Sequence, residues 1–102
     1  MYKLVYLTCS GPEQAQKIAE ALVKEKLCAC VNYFPITSVY YWKEKLEKNS
    51  EVGMLVKTTR EMVEKIINRV KELHSYEVPA IFSLPMEEGN PDFLKWIKDS
   101  VQ

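Results

Sequence analysis

The chain has 102 residues, 47 % of them hydrophobic and 11 % aromatic, which excludes a disordered polymer and leaves room for one domain, residues 1–102, with one modest core. Fourteen basic residues balance fourteen acidic ones, so there is no basic excess of the kind that nucleic-acid binding uses to displace counterions. No apolar run approaches the ~18 residues of a membrane span, and the sequence opens directly on strand-like residues with no secretory leader pattern, so a cytoplasmic protein is expected.

Residues 3–9 are rich in β-branched and aromatic side chains and end at Ser10-Gly11-Pro12, which predicts a first strand. Over roughly 12–26, Ala15, Ile18, Ala19, Leu22 and Val23 recur at helical spacing, with Pro12 suited to the first turn and Ser10 available as a cap. From Cys28 to Trp42 the sequence reads as one long strand, in which Pro35 demands a bulge or a bare edge. Its end, Val39-Tyr40-Tyr41-Trp42, is apolar on both faces, and a small domain covers both faces of such an end only with help from another subunit.

Lys43-Glu44-Lys45 predicts a turn into a third strand, about 46–58, so the hairpin is longer than the rest of the sheet requires and its tip should project. A second helix follows over roughly 60–74, capped by Thr58 or Thr59, with Met62 or Val63, Ile66, Ile67, Val70 and Leu73 on its apolar face. A fourth strand is expected from Tyr76 to about Met86, with Val78, Ala80, Phe82, Leu84 and Met86 on one face. Asn90 and Pro91 then open a short helix with Phe93, Leu94, Trp96 and Ile97 to bury. The order β-α-β-β-α-β plus a terminal helix predicts an α+β ferredoxin-like sandwich with an extended strand 2–3 hairpin.

Five segments then resemble, in order and spacing, the CutA family of divalent-cation and copper tolerance proteins. Lys26 to Asn32 is similar to its "(R/K)LxACxN" block, and Ser38 to Trp42 to its "SxYxW" strand. Glu51 through Lys57-Thr58 resembles "E…KT", His74 to Ile81 "HPYExPxI", and Asp92 to Ile97 the closing "YLxWL" helix. Two positions depart: Ser75 stands where the family has proline, and Glu44 where its "WxGK" turn has glycine.

The resemblance implies a homotrimer built through the long hairpins, as in the PII-type signalling proteins, and a role in tolerance of divalent metals, the copper ion (Cu2+) above all. It also implies copper ligands at Cys9 and His74, a set that needs a further group, for which Glu77 is a candidate. The residues allow a plainer account. A histidine at a helix C-terminus serves the dipole and caps carbonyls, and Cys9, Cys28 and Cys30, inside apolar stretches, read as reduced core thiols. Tyr40, Trp42, Lys57 and Tyr76 are candidates for the lining of an inter-subunit cleft, or equally for interface anchors.

No catalytic constellation is visible: one histidine has no nucleophile elbow or acid partner beside it, and three scattered glycines make no phosphate loop. The expectation is a metal-responsive or signalling protein rather than an enzyme, with a small-molecule sensor acting on an unidentified protein partner as the alternative. An RNA-recognition module, which shares the element order, is disfavoured because strand three (Val52-Gly53-Met54-Leu55-Val56) offers no aromatic for base stacking.

Overall fold

A computed structural model describes residues 1–102. Strand β1 (Tyr2–Cys9) leads into helix α1 (Pro12–Lys24), then β2 (Cys30–Trp42) and β3 (Lys45–Thr59) form a hairpin. A 3₁₀ turn (Arg60–Met62) opens α2 (Val63–Leu73), and β4 (Ile81–Met86) and α3 (Pro91–Ser100) complete the chain. The four strands lie in the order β2-β3-β1-β4, every neighbouring pair antiparallel. This is the ferredoxin-like arrangement, and no helix is long and apolar enough to cross a membrane.

Strand alternation decides which side chains meet the helices. Val5, Leu7 and Cys9 of β1 and Val52, Met54 and Val56 of β3 share one face and are buried against Ala15, Ile18, Ala19 and Leu22 of α1 and Ile66 and Val70 of α2. The opposite face carries Leu4, Tyr6 and Thr8 of β1, Phe34 and Ile36 of β2, and Phe82 and Leu84 of β4. Phe82 and Leu84 are 50 % and 46 % exposed, so this second apolar face is incompletely covered.

The hairpin extends as expected. All of β2 pairs with β3 from Cys30↔Lys57 to Trp42↔Lys45, whereas β1 reaches only from Thr59 to Val52. Residues Lys45–Glu51 therefore run about 23 Å past β1 at the usual strand rise. The tip is a two-residue turn in which Lys43 (φ 52) and Glu44 (φ 67) are both left-handed, the geometry of a type I′ hairpin. Glu44 thus holds the backbone shape that glycine adopts more cheaply.

Several boundaries move. β2 begins at Cys30, because the chain turns at Lys26 (φ 59) and the backbone N–H of Leu27 closes onto the carbonyl of Leu22. Cys28 therefore precedes the strand, wholly buried, and does not share a strand face with Cys30. β4 begins at Ile81 rather than Tyr76, leaving 74–80 as a loop whose path is set by hydrogen bonds to His74 and by Pro79, which has no N–H to offer a ladder.

The helix ends differ too. Gly11, not Ser10, is the N-cap of α1, while Gln14 Oε1 accepts from the Ser10 amide. Thr59 holds the N-cap position of the 3₁₀ turn that opens α2, with no side-chain hydrogen bond to it, and the Thr58 hydroxyl donates instead to the Leu27 carbonyl at 2.6 Å. Asn90 does cap α3, its side chain accepting from the Asp92 amide at 3.0 Å, but of the four apolar residues assigned to that helix only Ile97 is buried. Phe93 and Trp96 stack on each other at 6.0 Å and stay largely exposed.

Candidate functional site

The loop 74–80 joins α2 to the edge strand β4, and His74 fixes its start. The His74 Nε2–H donates to the Thr8 carbonyl at 2.6 Å, and Nδ1 accepts from the Tyr76 backbone N–H at 3.0 Å. A carbonyl can only accept and an N–H can only donate, so the two bonds together select the Nε2–H tautomer and use both ring nitrogens. Tyr76 is thereby folded back beside the imidazole, ring centroids 4.7 Å apart.

From there the Tyr76 hydroxyl reaches β3 and donates to Glu51 Oε2 at 2.5 Å, the short distance of a charge-assisted bond. Burial, reinforced by that carboxylate, holds the Tyr76 phenol well above the ordinary tyrosine range. The folded state therefore keeps a proton that an unfolded tyrosine gives up near pH 10, so the contribution is complete below about pH 10 and declines above it. Thermal unfolding followed from pH 9 to 11 should show a steeper loss of stability in the wild type than in Tyr76→Phe. Equal slopes would mean that the hydroxyl does not carry the dependence.

These groups border a cavity of about 730 Å³ on the sheet face away from α1 and α2. Thr8 of β1, Glu51 of β3 and Tyr40 and Trp42 of β2 line it, with Tyr76 and Glu77 of the loop. The Tyr40 hydroxyl accepts from the Asn49 amide at 2.8 Å, which leaves its own proton free to donate. Lys43 stands at the mouth, its Nζ 5.7 Å from the Trp42 ring centre and 3.9 Å from Glu77 Oε2.

Of the residues singled out in the sequence, Tyr40, Trp42, Tyr76 and Glu77 are brought together here. Lys57 is not: it pairs with Cys30 at the far end of β3, and its Nζ lies 3.9 Å from the Cys30 sulfur. Glu51 was read only as part of a motif, although a carboxylate set into an apolar strand was the available signal.

Cys9 and His74 are adjacent through Thr8, yet neither presents a free donor. Cys9 points into the core, fully buried with its sulfur 3.8 Å from that of Met54, and burial raises its thiol pKa. Thiolate and imidazole suit copper chemically, but a metal here must first take an imidazole nitrogen from its backbone partner. No group of three or more His, Cys, Asp and Glu side chains is preassembled anywhere in the fold. Although Ser75 and not proline follows it, His74 at ψ 144 has the extended shape that a following proline imposes.

Comparison with known proteins agrees with this architecture. The family model of the CutA1 divalent ion tolerance protein matches residues 3–100. The divalent-cation tolerance protein CutA of Archaeoglobus fulgidus is 41 % identical over 102 residues, the whole of both chains. A CutA homolog of Xenopus laevis is 47 % identical over 94 % of this chain and 64 % of its own length. A solved structure, described as the periplasmic divalent cation tolerance protein CutA from Archaeoglobus fulgidus, has a TM-score of 0.98 at 41 % identity and full coverage of each chain. The chain belongs to the CutA1 divalent ion tolerance family.

Proposed function

We propose that this protein serves divalent-cation tolerance as a cytoplasmic, PII-like homotrimer that responds to copper and signals rather than catalyses. The observation that carries the reading is the second apolar sheet face, which ends in a hairpin apolar on both sides. Tyr40 and Trp42 lie on that face, and Val39, Tyr41 and Leu46 on the other, beyond the reach of the helices. The outer strands β2 and β4 also leave unpaired ladder edges, and edge-to-edge contact between copies, repeated head to tail, closes a ring.

Cys9 and His74 are the proposed copper ligands, with Glu77 as a third. Because both His74 nitrogens are engaged, copper binding is coupled to release of the Tyr76 amide, and that release is the proposed signal. A calorimetric Cu2+ titration should show saturable binding, accompanied by a change in tyrosine fluorescence and lost in both Cys9→Ser and His74→Ala. Undiminished binding in those variants would overturn the assignment.

A second reading is favoured by the cavity itself. Its size lies within the range of small-molecule sites, and its aromatic and polar lining suits a metabolite sensor acting on a protein partner.

A further inference from the structure

Cys9 and Met54 bring two soft donors together in the interior. Their sulfurs lie 3.8 Å apart, and both side chains are wholly buried. Both belong to the core cluster beneath α1 and α2, so the contact is made within one chain, away from the sheet face that the proposed trimer covers. The other neighbour of the Cys9 thiol is the Gly11 carbonyl, also at 3.8 Å, in the turn that follows β1. Ser10 of that turn is exposed, so an ion has a short way in to Cys9.

The donors decide which ion the pair suits. Thiolate and thioether sulfur select copper(I), whereas copper(II) takes a tetragonal set of nitrogen and oxygen. Structural zinc asks for four ligands and calcium or magnesium for six or more, mostly oxygen. No group of three or more His, Cys, Asp and Glu side chains stands ready for any of these. A cuprous ion is satisfied by a few soft ligands in dry surroundings, which is what the two sulfurs and their apolar neighbours provide. Two bonds of about 2.3 Å, the usual metal–thiolate length, span the 3.8 Å between the sulfurs with neither displaced.

We propose that Cys9 and Met54 hold copper(I), Cys9 as thiolate and Met54 as thioether. The assignment rests on the copper reading above and names the oxidation state that the core takes. The copper(II) set of Cys9, His74 and Glu77 shares only Cys9 with it, so Met54 distinguishes the two. Binding replaces the Cys9 Sγ–H bond by an Sγ–Cu bond and gives one proton to solvent. The ion is bound in the state in which it is supplied, with no electron transferred.

The test is competition of the full chain against the cuprous chelator bathocuproine disulfonate, under ascorbate and without oxygen, with the Cu2+ titration run beside it. Wild type should withdraw copper(I) from the chelator. Met54→Leu, close in volume and apolar, should weaken cuprous binding at least about tenfold and leave the Cu2+ titration unchanged. Cys9→Ser should abolish cuprous binding, and Cys30→Ser should leave it intact. X-ray absorption at the copper edge of the wild type should show sulfur ligands from two side chains, and it keeps the test open if Met54→Leu does not fold.

Unchanged cuprous affinity in Met54→Leu makes the sulfur contact core packing and overturns the assignment, while loss in Cys9→Ser leaves the copper reading standing. Cuprous binding that survives Cys9→Ser and is lost in Cys30→Ser puts the ion on the other thiols and also overturns it. So does a copper edge that shows nitrogen or oxygen ligands alone. Absence of binding in both oxidation states removes this assignment and the copper reading together.

Discussion

Phe82→Asp should lower the mass measured by light scattering from that of three chains to that of one, with the circular dichroism of the fold retained. Phe82 lies on the edge strand β4, half exposed, its ring 5.5 Å from that of Tyr6 on the face away from α1 and α2. In the proposed trimer that face is covered by neighbouring copies. Because half of Phe82 is already covered within its own chain, removing the phenyl ring forfeits about 1–1.5 kcal/mol of interface burial per chain, and the carboxylate that replaces it is desolvated on assembly. Both terms recur in each of the three chains, so they act together on assembly.

The isolated chain loses little, because Phe82 is not part of the core cluster beneath the helices. Phe82→Leu keeps an apolar side chain and should keep the trimer. A wild type that scatters as a monomer would remove the trimeric reading outright. An aspartate variant that still scatters as a trimer would place the interface elsewhere, on the hairpin alone.

The order of elements was legible because hydrophobic period reports burial locally. The spacing of Ala15, Ile18, Ala19 and Leu22 requires a helix on a core, and all four are buried. The expectation for 76–80 failed for a reason that periodicity cannot carry. Val78 and Ala80 share the parity of Phe82 and so read as strand, but the loop's path is set by the His74 imidazole bonding to the Thr8 carbonyl, 66 residues away in sequence. The same limit explains α3, whose apolar Phe93 and Trp96 suggested burial that one chain does not provide.

The site divides in the same way. Tyr40 and Trp42 could be placed together because one strand face fixes them, two residues apart. Lys57 was grouped with them as lining of a cleft between subunits; within one chain the register puts it at the opposite end of β3. Glu51 stayed hidden since its contact depends on Tyr76 reaching it from another element.

Leu7→Ala should be the most destabilising single truncation, costing about 3 kcal/mol within the 2–5 kcal/mol usual for such changes. Leu7 lies on the central strand β1, paired with Met54 on one side and Ile81 on the other, and is wholly buried. Truncation removes three carbons from water-excluded packing and leaves a void whose walls are pinned by two ladders. Met54 is the neighbour best able to fill it, being unbranched and adaptable, which keeps the cost below the top of the range. Ile67→Ala, on the partly exposed flank of α2, should cost about 1 kcal/mol or less by the same area argument. Urea unfolding of both variants at one protein concentration makes the comparison fair, since assembly stabilises folded chains by mass action. A Leu7→Ala loss no larger than that of Ile67→Ala would mean that the core between β1 and the helices repacks freely, and that the trimer interface, rather than this cluster, holds the fold.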